Sequence, residues 1–384
     1  MTLTEDLGAR GLVVDSSADI ETILSKPRTV YIGIDPTADS AHIGHLVFIL
    51  LMKRLGAAGH KLSGCGGGWT GMIGDPKEKG ERVLLDEKTL RANTKALQKQ
   101  LKAVLGRTPF RMVDNADWLT KVKLIPFLRD IGKHFTVNDL VKRDLIKKRL
   151  DDPNESISYT EFTYSLLQGY DYLTLNQQYG CDLQIGGSDQ WTNILSGVDL
   201  NRKFGREAYA FTFPLITDAN GRKFGKSEGN AVWLDPDKTS PFQFYQFWIN
   251  LPDENIEQYL KVYTPMPVPD IERLMEEHRA NPGAREAQET LASQVTSLVH
   301  GPAAAAEAAA ATDALFGGRP FHELSKLERQ VALAEAPSFS ISKVQLTEGY
   351  PLVDALTLGG LVSSKSEARR LIEQKGITLS GFPV

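Results

Sequence analysis

Two histidines three residues apart, His42 and His45, are the side chains of this sequence whose type and spacing point most directly to chemistry. At this spacing two residues share one face of a helical turn. A helix start offers unpaired backbone N–H groups and a partial positive charge, which attract phosphate oxygens, and imidazoles add further donors. The pair therefore predicts a phosphate site, with packing, a surface role or a metal pair as the alternatives.

A short strand and a turn precede these histidines and must position them. Residues 30–34 are β-branched or aromatic apart from Gly33, which favours a strand, and Asp35-Pro36 breaks it. Asp39 or Ser40 is the expected N-cap of a helix that ends at Gly59. The sequence predicts a strand, a polar loop and a helix that carries both histidines in its first turn.

A glycine-rich segment, residues 61–76, follows this helix and is too open in composition for a regular strand. Glycines let backbone approach a ligand, although a tight loop beside the core has the same composition. The segment ends in Gly74-Asp75-Pro76, which presents a carboxylate on a stiff turn. Asp75 is therefore a candidate ligand-binding residue.

A predicted helix from about Ser158 to Leu175 has one polar stripe, formed by Tyr164, Gln168 and Asp171, opposite an apolar one. An ordinary exposed face favours lysine and glutamate, whereas a phenol, an amide and a short carboxylate suit a pocket. The pattern leaves a pocket and a surface face both open.

Residues 181–191 indicate a buried strand, a glycine turn and a helix start. Ligands of open parallel sheets bind at the carboxyl ends of the strands, where Asp189 and Gln190 would lie.

Residues 211–216 indicate another strand, and the loop after it is rich in glycine and cations, including Lys223 and Lys226. Such a loop is also common on ordinary surfaces.

The composition limits the possible partners. With 44 basic and 48 acidic residues in 384, the net charge of −4 excludes a generally basic nucleic-acid coat, so any RNA contact must be a local patch such as Arg143, Lys147 and Lys148. A solvated helix face explains these cations equally well. Two cysteines without a CxxC motif argue against a structural metal site or a disulfide framework. Without a signal peptide or a membrane-length apolar run, we expect a soluble cytoplasmic protein.

Three motifs resemble class I aminoacyl-tRNA synthetases, and specifically the tyrosyl enzymes of bacteria. They are the stretch from Tyr31 to His45 with its His42-Ile43-Gly44-His45, the segment 181–191, and Lys223-Phe224-Gly225-Lys226-Ser227, which is similar to the second class I signature in its tyrosyl form. The resemblance covers residues 7 to 380, and the motifs follow the family's order. Trp69 departs from the pattern, because tyrosyl enzymes usually have a small residue there.

The resemblance implies an α/β fold. It places a Rossmann-like parallel-sheet catalytic domain at residues 1–250, with an inserted homodimer-forming region at about 118–155. An α-helical anticodon-side domain would occupy 251–335, a linker 336–350, and a small α+β RNA-binding domain 351–384. That last domain normally continues through further strands, so it is expected to be incomplete here.

The resemblance also implies an activity. The carboxylate of L-tyrosine attacks the α-phosphorus of ATP, which is used with Mg²⁺; pyrophosphate leaves, and the tyrosyl group passes to the 3′-terminal ribose of tRNA(Tyr). Two lysines on a hinged loop can close over the leaving pyrophosphate, and no protein nucleophile is needed.

Site residues follow from the same resemblance, group by group. The catalytic group is Thr37, His42, His45, Lys223, Lys226 and Ser227. The tyrosine-binding group is Tyr31, Asp75, Tyr164, Gln168, Asp171 and Gln190. The ATP-binding group is Gly33, Asp35, His42, Gly44, His45, Asp189 and Lys226. Further candidates are Lys79 and Arg82 for the triphosphate, Asn115 near the ribose, and Arg143, Lys147, Lys148, Arg369 and Arg370 for RNA.

Three alternatives stay open. The tryptophanyl enzyme shares the fold, but Tyr31, Gln168 and Asp171 suit a phenol better than an indole. A paralogue could form an adenylate without charging tRNA. A non-catalytic RNA-binding protein could use the same scaffold, although the intact histidine and lysine signatures argue against it.

Overall fold

The computed structural model of the chain describes residues 1–75, 85–217, 224, 226–227, 230–316, 323–335, 339–379 and 382–384. The strands within these ranges are β1 Thr29–Ile34, β2 Lys61–Gly66, β3 Phe110–Asp114, β4 Leu183–Gly187, β5 Tyr209–Phe213, β6 Lys226–Ser227, β7 Asn230–Ala231, β8 Thr378–Leu379 and β9 Phe382–Pro383.

The helices up to the last long strand are α1 Leu3–Ala9, α2 Ile20–Leu24, α3 Ile43–Ala57, α4 Glu87–Leu105, α5 Ala116–Leu119, α6 Leu124–Asp130, α7 Val137–Leu140, α8 Asp144–Asp151, α9 Tyr159–Tyr179 and α10 Trp191–Lys203. Those that follow are α11 Pro241–Ile249, α12 Ile256–Tyr263, α13 Val268–Ala280, α14 Glu286–His300, α15 Pro302–Phe316, α16 Lys326–Glu335, α17 Lys343–Glu348, α18 Leu352–Leu358 and α19 Lys365–Glu373.

Five parallel strands form the central sheet, in the order β3-β2-β1-β4-β5. Strands β2 and β3 follow β1 in sequence and lie on one side of it. Strands β4 and β5 lie on the other side of β1. This reversal creates a crevice beyond the carboxyl ends of β1 and β4, where doubly wound sheets bind their ligands. The predicted Rossmann-like α/β fold is confirmed.

Strand β2 corrects one prediction, because the first six residues of the glycine-rich segment form a regular central strand. Its residues are small for a steric reason. A Cβ on Gly64 would lie 2.6 Å from the ring of Phe110 and 2.8 Å from the sulfur of Met112, both on the neighbouring strand β3. Glycine content here reflects close packing between strands.

Helix α3 begins later than predicted, at Ile43, with His42 as its N-cap in place of Asp39 or Ser40. The reason is a short pairing with a distant segment. The Ile43 N–H donates to the carbonyl of Val232 at 3.0 Å, and the Leu234 N–H donates to the carbonyl of Ala41 at 2.8 Å. This pairing holds the chain extended until His42.

Other boundaries are close to prediction. Helix α4 ends at Leu105, with Gly106 as its C-cap at positive φ. Helix α9 has a capping box at Ser158 and ends at Tyr179, four residues later than predicted, with left-handed Gly180 as its C-cap. Strand β5 starts two residues earlier than predicted and ends at Phe213.

The chain forms two compact units. The first comprises residues 1–238 and 252–287, and the second comprises 239–251 and 288–384. Helices α12 and α13, which the sequence analysis grouped with the helical domain, therefore belong to the first unit. Two arginines tie them there: Arg10 donates to the carbonyls of Lys261 and Met266, and Arg54 donates to the carbonyl of Thr264. The functional roles of the predicted domains stay predictions.

The second unit is helical and contains an aromatic core. In α11 the side chains of Phe244 and Trp248 are fully buried, and the Phe244 ring packs 4.8 Å from that of His300. The alanine-rich helix α15 buries every third residue, from Ala305 to Ala311. Within the described ranges, no helix has both the length and the hydropathy of a membrane span.

Candidate functional site

The crevice at the carboxyl ends of β1 and β4 holds a cavity of about 210 Å³. All six residues predicted to bind tyrosine line it: Tyr31, Asp75, Tyr164, Gln168, Asp171 and Gln190. They come from β1, from the turn that ends the glycine-rich segment, from one face of α9 and from the start of α10. The polar stripe of α9 therefore faces a pocket.

Asp171 lies at one end of this cavity and is only 6% exposed. Its two carboxylate oxygens accept hydrogen bonds from the Asn115 amide at 2.9 Å and the Trp118 indole at 2.7 Å. Burial raises the pKa of Asp171 to about 7, although both hydrogen bonds act in the opposite direction.

Tyr31 faces the same cavity from β1. Its hydroxyl is buried and has no hydrogen-bond partner among the described residues. Burial raises the pKa of this phenol well above its ordinary value, so it remains a protonated donor at neutral pH. A buried hydroxyl without a protein partner is rare, and it marks this wall of the cavity as one that bonds a ligand.

Asn115 is placed differently from the prediction. The sequence analysis put it near a nucleotide ribose, but its amide donates to Thr70 and Asp171 and accepts from the backbone N–H of Trp69. Asn115 follows β3 and lines the first cavity, where it bonds Asp171, and it is not among the residues that line the second cavity. It supports the Asp171 carboxylate instead.

Trp69 itself is half-buried and packs against the core cluster around Tyr31 and Tyr172. It does not line the cavities described here. The large side chain at this position is therefore accommodated outside the pocket.

Asp75 is held by amides from the start of α10. The Gln190 amide donates to one carboxylate oxygen at 2.9 Å, and the Asn193 amide donates to the other at 3.0 Å. The sequence analysis missed Asn193, although its spacing of three from Gln190 puts both on one helix face. The two amides fix the orientation of the Asp75 carboxylate.

Arg143, predicted as an RNA contact, points into the protein. Its guanidinium donates to Ser196 at 2.5 Å and to Asn193 at 3.4 Å. Burial lowers its pKa to about 10, while Asp139 and Asp75 act in the opposite direction. It lines a third cavity of about 310 Å³ that also contacts Asp75. By contrast, Lys147 and Lys148 on α8, and Arg369 and Arg370 on α19, are exposed.

Tyr164 links α9 to the turn after β1. Its hydroxyl donates to Asp35 at 2.8 Å, and the Thr70 hydroxyl donates to the other oxygen of Asp35 at 3.2 Å. Burial raises the pKa of Tyr164, so it too remains a donor. Thr37 is exposed and lines the first cavity.

A second cavity, of about 290 Å³, adjoins the first across the strand ends. Six of the predicted ATP-binding residues line it: Gly33, Asp35, His42, Gly44, His45 and Asp189. Residues of both strand ends, among them Gly33 and Gly186, line both cavities. A ligand can therefore extend from one cavity into the other beside backbone without side chains.

The two histidines form a reciprocal cap at the start of α3. Nδ1 of His42 accepts the Gly44 N–H at 3.0 Å, and Nδ1 of His45 accepts the His42 N–H at 3.1 Å. Nδ1 of each neutral ring is therefore an acceptor, which places the ring proton on Nε2. A Cβ on Gly44 would come within 2.8 Å of the His42 ring, so glycine lets the ring pack there.

The second signature is described in part. Lys223 and the loop candidates Lys79 and Arg82 lie outside the described residues, and for Lys226 and Ser227 only the backbone pairing with β7 is described. Phe224 is buried, lines the second cavity and stacks on Tyr259 with ring centroids 4.4 Å apart. Phe224 thus lies in the wall of the second cavity together with the two histidines, a position that was not predicted from the sequence.

Among the described residues, no group of three or more histidine, cysteine, aspartate or glutamate side chains could hold a metal ion. Both cysteines, Cys65 and Cys181, are buried and free.

Comparison with known proteins gives consistent matches. A family model described as class I tRNA synthetases (W and Y) matches residues 24–317. Tyrosine–tRNA ligase 1 of Vibrio parahaemolyticus is 44% identical over 390 residues, which cover all of this chain and 91% of that protein. The tyrosine–tRNA ligase of Roseiflexus castenholzii is 44% identical over 387 residues, which cover 99% and 91%.

Solved structures agree with these matches. A C-terminally truncated mitochondrial tyrosyl-tRNA synthetase from Aspergillus nidulans superimposes with a TM-score of 0.72 at 32% identity, covering 82% of this chain and 94% of that one. A tryptophanyl-tRNA synthetase from Encephalitozoon cuniculi, at 15% identity and a TM-score of 0.58 over 79% of this chain and 86% of that one, shares the fold.

Proposed function

The chain belongs to the class I tRNA synthetase family of the tryptophanyl and tyrosyl enzymes, and from this premise we propose that it is a tyrosine–tRNA ligase. It activates L-tyrosine with ATP to tyrosyl adenylate and pyrophosphate, and it then transfers the tyrosyl group to the 3′-terminal ribose of tRNA(Tyr). One observation carries the choice of amino acid: the buried carboxylate of Asp171 and the buried, unpartnered hydroxyl of Tyr31 line the same cavity.

These two groups suit a phenol. The substrate hydroxyl donates to Asp171 and accepts from Tyr31, so all three polar groups are satisfied. Phenylalanine would leave both protein groups buried and unpaired, which disfavours it strongly; the tyrosyl-tRNA synthetases themselves are the best-known case of this argument. An indole places its N–H elsewhere on the ring, which disfavours tryptophan.

The amino end of the substrate lies toward Asp75. The carboxylate of Asp75, oriented by Gln190 and Asn193, pairs with the ammonium group, with Tyr164 and Gln168 beside it. The oxygen of Gln168 is buried without a partner among the described residues, and it accepts one ammonium hydrogen. This placement directs the substrate carboxylate toward the second cavity.

The second cavity holds ATP. Nε2 of His42 and His45, together with the N-terminus of α3, donates to phosphate oxygens as negative charge develops on them. Lys223 and Lys226 are proposed to act on the same phosphates, Asp189 to bond the ribose, and Thr37 to contact the triphosphate. Mg²⁺ is expected to enter with ATP, because it is held largely by phosphate oxygens in nucleotide sites. Catalysis then rests on positioning and charge stabilisation.

Two copies of the chain are proposed to associate through the inserted region. Helix α6 and its surroundings expose apolar side chains: Leu124 is 69% exposed, Ile125 71% and Val137 62%. Several exposed apolar side chains within one short region of a folded chain are typical of an interaction site. The exposed lysines of α8 and arginines of α19 are proposed tRNA contacts, and the cytoplasmic location stays a prediction.

Tyrosine-dependent exchange of labelled pyrophosphate into ATP tests this proposal, with tryptophan and phenylalanine as controls. We expect exchange with tyrosine alone, followed by charging of tRNA(Tyr) when tRNA is added. Exchange without charging would favour an adenylate-forming paralogue. No exchange with any of the three amino acids, from folded protein that still binds RNA, would overturn the enzyme assignment.

A further inference from the structure

Gln184 is a polar residue in a place where an apolar one is expected. It lies in β4, which is between β1 and β5 in the parallel sheet, and it is 1% exposed. Central strands of such sheets are covered on both faces and are usually continuous apolar runs. Its neighbours in the strand, Leu183 and Ile185, follow that rule.

The carboxamide of Gln184 makes no hydrogen bond to any of the described residues, and its oxygen is completely buried. Buried amides are paired in the large majority of cases, because an unpaired one loses its bonds to water and gains nothing. The side chain lines the first cavity. The missing partner is therefore one that this cavity receives.

Asn115 shows what a structural carboxamide in the same cavity wall looks like. It is equally buried, but its amide bonds to Thr70, Asp171 and the backbone of Trp69. All of its polar atoms serve the protein. The contrast separates Gln184 from residues that only support the pocket.

The sheet register shows which residue of the cavity wall lies beside Gln184. Gln184 pairs with Tyr31 across the β1–β4 ladder. Paired residues of neighbouring parallel strands point to the same face of the sheet, about 4.8 Å apart. Gln184 and Tyr31 are therefore adjacent in one wall, and each has a buried polar atom without a hydrogen-bond partner in the described part of the chain.

We propose that Gln184 is a specificity-determining residue, whose carboxamide hydrogen-bonds the hydroxyl of a phenolic amino-acid substrate together with Tyr31 and Asp171. The proposal rests on the proposed function and deepens it. A phenolic hydroxyl has one donor and two lone pairs, so it donates to Asp171 and accepts one hydrogen bond from the Tyr31 hydroxyl and one from the Gln184 amide N–H.

The substitution Gln184→Met tests the proposal, because methionine keeps a similar unbranched volume and removes the hydrogen bond. We expect the Kd for tyrosine to rise about tenfold, since one buried hydrogen bond is lost, while the Kd for phenylalanine and the KM for ATP stay within about twofold. Equilibrium dialysis with labelled amino acids gives both Kd values, and pyrophosphate exchange gives the ratio of kcat/KM between them. The tyrosine-to-phenylalanine ratio should fall about tenfold in both assays.

A tyrosine-to-phenylalanine ratio that stays the same would overturn the proposal. If both Kd values rise equally, Gln184 serves only the shape of the pocket. The matched control is Gln288→Met, which alters another fully buried glutamine in the second unit and should leave the ratio unchanged. If the methionine variant does not fold, Gln184→Asn retains an amide with a shorter reach and should show the same selective loss. Wild-type protein that binds tyrosine but gives no exchange would refute the ligase assignment and leave the dialysis test decisive. Wild-type protein that binds no tyrosine would refute both.

Discussion

The indole N–H of Trp118 donates a 2.7 Å hydrogen bond to the carboxylate of Asp171, whose other oxygen accepts from Asn115. A buried carboxylate is thus held by two neutral donors and by no cation among the described residues. Burial raises its pKa to about 7, and the donors limit that rise. The protonation state of the proposed tyrosine-binding group can therefore change close to physiological pH.

The first prediction is a pH dependence of tyrosine activation. Below about pH 7 Asp171 gains a proton and loses its capacity to accept the phenol hydrogen, so kcat/KM for tyrosine at saturating ATP should fall as pH decreases through that value. Exchange assays between pH 5.5 and 8.5 measure it. The Asp171→Asn variant should have low activity with no such step, while its KM for ATP remains near wild type. A step of the same midpoint in that variant would assign the titration to another group.

The second prediction concerns Trp118→Phe. Removing the indole donor takes away an interaction that favours the charged carboxylate, so the midpoint of the pH profile should move upward, by about one unit for a lost charge-assisted hydrogen bond. Activity at pH 7 should fall and recover at pH 8.5. The control is Trp248→Phe, which alters a buried indole of the second unit. A loss of activity that is uniform across pH would indicate disturbed packing instead.

The third prediction separates the two tasks of His42. Asparagine is a good N-cap and alanine is not, so His42→Ala should lower stability by about 1 kcal/mol and His42→Asn by only a few tenths. Both variants lose the Nε2 donor and should lose about 10- to 100-fold in kcat. Thermal unfolding and exchange kinetics give the two numbers. Full activity of the asparagine variant would show that the ring is needed only for the helix.

The fourth prediction is a role for Asn193 in tyrosine binding. The Asn193→Ala variant leaves Asp75 with one side-chain amide donor fewer, so the KM for tyrosine should rise about five- to tenfold while the KM for ATP changes little. Asn201→Ala on the same helix is the control, because that amide donates to the carbonyl of Gly197 and should affect stability alone. Equal kinetics of the two variants would refute the assignment.

The fifth prediction concerns association. A charge at Ile125, within the exposed apolar surface of α6, would be buried without a partner in a dimer, so Ile125→Asp should shift the chain toward monomers. Light scattering after size-exclusion chromatography measures the molar mass. Leu361→Asp, at a residue that is 64% exposed in the second unit, is the control. A wild-type chain that is monomeric at micromolar concentration would refute the proposed homodimer.

Local signals predicted most of the elements that position the site. Helix α9 begins at its Ser158 cap as expected, and the spacing of Tyr164, Gln168 and Asp171 identified the face of α9 that lines the cavity. Both features follow from residue type and period, which depend on neighbours within one or two turns.

Long-range pairing explains what the sequence could not reveal. The start of α3 depends on an extended pairing with residues 232–234, nearly 200 positions away. The small residues of β2 led to the prediction of a loop, because the sequence alone does not show that side chains of β3 leave no room for a Cβ there. Asn115 and Gln184 have the same chemistry and the same burial, and only the three-dimensional arrangement shows that one is paired and the other is not.

The reciprocal cap of His42 and His45 has a consequence for how such sequences change over time. Each ring uses Nδ1 to start a helix and also lines the second cavity, so selection for folding alone would favour keeping the same two residues. The histidine pair alone is therefore weaker evidence that a related chain is active than the pair together with the lysines of the second signature. Replacement of His42 by asparagine, which caps almost as well but has no Nε2, would be the more informative mark of lost activity.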